Sequence, residues 1–187
     1  MVSLLPRRYF LEKIYHKIIK QNLPRVLELI DSDRTSISYG LGDRYYWAWG
    51  LIDFGNATYQ GFAHGMSRLW VSGLWPYPTS KKRFLERINA LFLGAKTLTR
   101  KDGSLEEAFP NEGSYCVSAL IAFDLLCALD LLSSDIEDRI HLEWKKIIEP
   151  IIGYLIKSDE THAIISNHLA TAVAALVRWH ELTGETA

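Results

Sequence analysis

The sequence predicts an all-α fold: stacked antiparallel α-hairpins forming part of an incomplete α/α toroid. Three observations carry that expectation. Amphipathic, charged segments alternate with segments that are apolar on most faces, and a helix apolar all round is one buried on all sides. The apolar segments start near residues 54, 113 and 166, a recurrence of roughly 50–60 residues that marks a repeated supersecondary unit. The connections alternate as well, short after an apolar segment and long before one. The 187 residues read as one helical domain, either the N-terminal portion of a longer toroid or a natural half-toroid.

Six helices follow in order. The first, about Arg7 to Ile30, sets apolar Phe10, Ile14, Ile18 and Ile19 against Lys13, Lys17 and Lys20. That pattern suits the outer helix of a stack, and a basic amphipathic helix lying on a membrane shares it. The second, about Phe54 to Leu74, stops at WPYPTS, because Pro76 and Pro78 cannot continue helical hydrogen bonding. The third covers about Lys81 to Thr99, and the fourth, about Glu112 to Leu132, is apolar on most faces. The fifth, about Ile136 to Ser158, carries charge on one side, and Pro150 should kink or break it. The sixth, about Ile164 to Thr183, is apolar nearly all round and ends at Gly184, a C-cap residue. The first, third and fifth helices are therefore expected outside, the second, fourth and sixth inside.

Composition excludes several classes. Hydrophobic residues make up 48% and charged residues 23%, which rules out wholesale disorder. A net charge of −1 gives no global field for nucleic acid. No segment is expected to reach the apolar length of a membrane span, and the arginines and acids near the N-terminus interrupt any signal-peptide core. Cys116 and Cys127 fall on one helix about three turns apart, roughly 16 Å, too far for a disulfide. A reduced, cytoplasmic protein is the simplest expectation. Glycine-rich phosphate loops, metal-spaced Cys/His sets and a serine elbow are all missing, so neither cofactor nor metal is expected.

In antiparallel hairpins the three long loops entering the inner helices lie at one end, where function concentrates. The first loop carries Asp43, Arg44, Tyr45, Tyr46, Trp47 and Trp49. These read as a sugar-stacking surface with an ion-pairing arm, or as a short helix packed on the core. The second, DGSLEEAFPNEGSY, offers Asp102, Glu106, Glu107, Glu112 and Tyr115. Paired carboxylates suit acid–base work on a glycosidic bond, while Asp-Gly is also turn chemistry and acids favour a helix N-terminus. The third, ETHAIISNH, offers His162, Asn167 and His168 ahead of the sixth helix. An Asn-His pair there can bind an anion, or Ser166 or Asn167 can cap the helix. His168 stands closer to the buried mouth than His162.

The strings DRYYWAWGLIDFGNATYQGFAHGMSRLW, DGSLEEAFPNEGSY and ETHAIISNHLATAVAAL resemble α/α-toroid proteins of the heparinase II/III and alginate-lyase type. The likeness is to an uncharacterised branch found near polysaccharide-biosynthesis genes and runs from Asp43 onward. It implies a polysaccharide lyase or uronate epimerase acting on an acidic glycan. In that family an Asn-His pair neutralises the uronate carboxylate and a Tyr on a later helix moves the proton. Asn167 and His168 match the pair, and would be the catalytic residues. Asp43, Arg44, Tyr45, Trp47, Trp49, Glu106, Glu112, Tyr115 and His162 would bind substrate. A full toroid needs roughly twice as many helices, so the later Tyr is expected to be missing and self-association through an open edge to follow. Two alternatives stand beside the lyase: a non-catalytic glycan-binding or scaffold module, and a glycoside hydrolase using carboxylates of the 102–112 loop.

Overall fold

A computed structural model describes residues 7–42, 55–107, 111–161 and 166–185, and among these it is built from six α-helices. They are α1 (Arg7–Glu28), α2 (Phe62–Val71), α3 (Lys81–Leu98), α4 (Tyr115–Leu132), α5 (Asp138–Lys157) and α6 (Ser166–Thr183). A 3-10 turn, Ala57–Gly61, leads into α2, and two short strands, β1 (Leu105–Glu106) and β2 (Gly113–Ser114), pair antiparallel before α4.

Local chemistry sets the starts. Ser80 accepts the Arg83 N–H at 3.3 Å to open α3, and Ser114 accepts the Val117 N–H at 3.2 Å to open α4. Asn56 accepts from both the N–H and the hydroxyl of Thr58, which tightens the chain into the 3-10 turn. The second helix therefore begins later than its hydropathy suggests.

The helices form two layers. α4 packs on both α2 and α6, while α3 packs on α5. Residue pairing fixes direction. His64 of α2 meets Asp124 of α4, and Arg178 near the end of α6 meets Asp130 near the end of α4. The three inner helices thus run parallel. In the outer layer Lys81 pairs with Asp135, which precedes α5, and Trp144 donates to Asn89 at 2.8 Å. Phe92 stacks on Trp144 at 4.0 Å between centroids. Each short connection reverses the chain between layers, so consecutive helices are antiparallel. The core lies between the layers, around Phe84, Leu91, Phe92, Leu125, Leu129, Trp144 and Ile148.

Four expectations need correction. α1 is not an outer helix along its whole length: Ile14 and Ile18 are exposed, and Leu23 with Leu27 makes the attachment. α6 is not buried on all sides, since only Ala172, Ala175 and Trp179 are buried while Leu169, Val173 and Val177 face outward. The physical reason is that α4 covers one flank of α6 and no described helix covers the other. α5 runs unbroken through Pro150. Pro150 is exposed, and its neighbours Ile147, Ile148, Ile151 and Ile152 are held in the core on either side. Finally, α4 is long and apolar enough to cross a membrane by composition, with a mean hydropathy of 2.0. Its window is 67% buried among the other helices, the setting of a core helix.

Candidate functional site

The second and third long loops meet at one end of the layers. β1 is pinned to α4 by Ser118, whose hydroxyl accepts the Leu105 N–H at 2.9 Å and donates to the Ser114 carbonyl at 2.6 Å. The preceding turn presses against α5: Gly103 has φ +92°, and a Cβ there would stand 2.2 Å from the Pro150 carbonyl oxygen. That contact brings the hairpin to the C-terminal half of α5 and the segment that follows it.

Around this junction stand Tyr115 from the start of α4, Tyr154 from α5, Glu160 from the loop and His168 from α6. The Tyr115 and Tyr154 rings lie 6.2 Å apart, tilted by 53°. His168 Nδ1 is 2.6 Å from Glu160 Oε2. The Glu160 side chain is 1% exposed and that of His168 is 20% exposed. A carboxylate accepts and cannot donate, so Nδ1 carries the proton of this bond. When the ring is neutral, Nε2 is its basic nitrogen, in an orientation fixed by the buried carboxylate.

The phenols point to a different role. Burial raises the Tyr115 phenol above its ordinary value, and Asp159 and Glu160 raise it further. Burial also raises Tyr154, with Asp102 adding to it. Both are therefore protonated donors at neutral pH, unsuited to act as phenolate bases in the free protein. The Cys116 thiol is likewise raised, by burial first and then by Glu107 and Glu160, which removes it as a nucleophile.

Sequence-predicted residues fall into three groups. Asn167 and His168 sit on the first turn of α6, and His168 shares the junction with Tyr115. Asn167 is exposed, and its amide makes no hydrogen bond among the described residues, so capping has no bond to support it. Glu106 and Glu112 belong to the hairpin. Glu106 accepts the Asn111 N–H at 3.0 Å, and the Glu112 carbonyl accepts the Glu107 N–H at 3.3 Å, which closes the loop. Asp102 accepts from the N–H and hydroxyl of Ser104, and those bonds hold its carboxyl below the usual range. Here the turn reading prevails over paired-carboxylate chemistry. Asp43, Arg44, Tyr45, Trp47, Trp49 and His162 lie outside the described residues.

Sequence reasoning passed over Glu160 and Tyr154, and also a second pair, His64–Asp124. His64 Nδ1 lies 2.9 Å from Asp124 Oδ1, with Phe123 edge-on to the imidazole. No local sequence signal marks this pair, because His64 is the third residue of α2 and Asp124 the tenth of α4. Comparison with family models, with curated proteins and with solved structures finds no match for this chain.

Proposed function

We propose that this chain is the helical part of an α/α-toroid protein that acts on an acidic glycan, removing the C5 proton of a uronic acid. The reading rests on one observation. The imidazole of His168 is oriented by a buried carboxylate, and the residue before it on the first turn of α6, Asn167, is exposed with an amide that makes no hydrogen bond among the described residues. Such a pair suits a general base next to a carboxylate-binding donor. Two parallel layers of helices linked by reversals are also what a toroid repeats, and the resemblance of ETHAIISNHLATAVAAL supports a uronate-carboxylate site at Asn167 and His168, while it gives the proton transfer to a Tyr.

The chemistry follows from the groups. The C5 proton is weakly acidic until the adjacent carboxylate is neutralised. The Asn167 amide donates to that carboxylate, and His168 Nε2 takes the proton. In elimination the C4–O bond breaks, its electron pair leaves on oxygen, and a C4–C5 double bond forms. In epimerisation a proton returns to the opposite face. A phenol held protonated by burial, as in Tyr154 or Tyr115, suits the acid half of either path. The glycosidase alternative is weaker, because Asp102 and Glu106 already serve turn hydrogen bonds.

The test is incubation of the full chain with uronate-containing glycans, following absorbance of unsaturated product and titrating binding separately. His168→Gln is expected to abolish turnover on folded protein while sparing most binding. Asn167→Asp keeps the charge preference of a helix N-terminus but repels the substrate carboxylate, so stability should hold and binding should be lost. If Asn167→Asp binds as well as the parent, the uronate site is wrong.

A further inference from the structure

Between α3 and α5, beside the 100–103 turn, lies a cavity of about 610 Å³. Small-ligand sites run from about 300 to 1,000 Å³, so the volume is that of one such ligand. α3 contributes Lys96, the turn after it Arg100 and Lys101, and α5 contributes Lys146. Glu143 is the one acid on the lining, and Arg139 already holds it at 3.1 Å. Leu93, Ile147 and Pro150 supply the apolar part.

Four cations against one acid sets this cavity apart. Three others are lined by four cations against three acids, by three against two, and by one against three. The ammonium groups of Lys96, Lys101 and Lys146 make no hydrogen bond or ion pair among the described residues. Arg100 gives one donor to the Ser104 hydroxyl at 3.4 Å. Asn89 lines the same cavity, and its side-chain oxygen accepts from Trp144 at 2.8 Å, which leaves the amide nitrogen as a free donor. Like charges gathered around one space repel, and an anion between them replaces that repulsion with attraction.

We propose that this cavity binds a small organic phosphate, its phosphoryl group among Lys96, Arg100, Lys101 and Lys146 and its organic part against Leu93 and Ile147. Lysine ammoniums are compact point charges that suit phosphate, whereas a planar carboxylate is matched best by the fork of an arginine. A phosphate monoester also brings close to two negative charges at neutral pH, where a carboxylate brings one. Asn89 and Leu93 line the next cavity along α3 and α5 as well, and there the charges nearly balance. The positive lining therefore stops within one cavity, which suits a small ligand and gives a polymeric anion no track to follow. The site shares no side chain with the His168–Glu160 junction, so it stands apart from the uronate reading.

The experiment is calorimetric titration of the full chain with phenyl phosphate, a dianion on a small apolar body, beside benzoate and inorganic phosphate. One phenyl phosphate per chain is expected, and an exposed pair of opposite charges contributes up to about fivefold, so it should bind about fivefold or more tighter than benzoate. Inorganic phosphate should bind more weakly, because it lacks the apolar part. Lys96→Gln/Lys146→Gln removes two such pairs and should weaken phenyl phosphate about tenfold. Lys17→Gln/Lys20→Gln removes the same charge from α1 and should change binding less than about twofold at physiological salt. All four side chains are exposed, so parental circular dichroism and melting are expected in both variants and establish folding. No binding of phenyl phosphate, benzoate bound as tightly, a Lys96/Lys146 variant that binds like the parent, or an equal loss in the α1 variant would overturn the proposal. So would a uronate oligosaccharide that displaces phenyl phosphate at a lower concentration than phenyl phosphate itself requires, because an acidic glycan then occupies the cavity.

Discussion

Two histidine–carboxylate pairs of similar geometry sit in contrasting places. His64 and Asp124 meet at 2.9 Å between two adjacent inner helices, each about one-fifth exposed. His168 and Glu160 meet at 2.6 Å where a loop turns into a helix, and there the carboxylate is almost wholly buried. The first pair ties two rigid elements together and leaves each side chain partly exposed. The second places a charge out of water in a segment that regular backbone bonding does not hold. A buried carboxylate needs its cation or donor far more than a wetted one does. Burial of charge in a loop is therefore the mark of the proposed site, and the inner-layer pair reads as a clamp.

The sharpest way to break this contrast is to remove each imidazole. His168→Ala removes a hydrogen bond to the buried Glu160 carboxylate and should cost about 2 kcal/mol of stability. His64→Ala leaves Asp124 within reach of water and should cost about 1 kcal/mol. Thermal denaturation of both variants at neutral pH measures the gap, and equal losses would erase the distinction.

The scaffolds beneath the pairs should differ in the same direction. Gly103 combines a left-handed φ with close approach to the Pro150 carbonyl, both backbone constraints. Gly103→Ala should cost about 2–3 kcal/mol and loosen the hairpin that supports Tyr115 and Tyr154. A Cβ at Gly61 would meet Asp124 Oδ2 at 2.6 Å, the movable end of a side chain. Gly61→Ala should therefore cost about 1 kcal/mol, and Asp124 should swing towards solvent. Denaturant midpoints, with near-UV circular dichroism to follow the tyrosines, separate the two.

The smallest effects concern pH. Burial pushes the Asp124 carboxyl up, with the His64 bond and charge only partly offsetting it. A raised carboxyl contributes stability that is present below the unfolded value and lost as pH rises through the folded one. Ser104 bonding pulls Asp102 down, so its contribution is present above the unfolded value and lost as pH falls. At neutral pH, Asp124→Asn should equal or exceed the parent in melting temperature, while Asp102→Asn should fall slightly below it. Both differences should shrink on acidification. Deviations of the same sign at neutral pH would contradict the opposite environments assigned to these acids.

Most of the helical framework was legible in the sequence, because periodicity and end signals act locally. Ser80 ahead of the third helix, Pro76 and Pro78 after the second, and Gly184 after the sixth are readable without any partner. The all-apolar run of α4 announced a core helix for the same reason. Asn167 and His168 were also singled out by their place before an apolar helix. What local pattern could not state is which apolar face finds a neighbour. Ile14 and Ile18 look like core residues in sequence, yet α1 leaves the body before reaching them, and Val173 and Val177 lie on the flank of α6 that α4 does not cover. The pairing of His168 with Glu160, and of His64 with Asp124 sixty positions away, likewise depends on how layers and loops converge. Sequence determined the elements through short-range backbone and hydropathy rules. Tertiary structure alone decided burial and pairing, because both depend on elements brought together from distant parts of the chain.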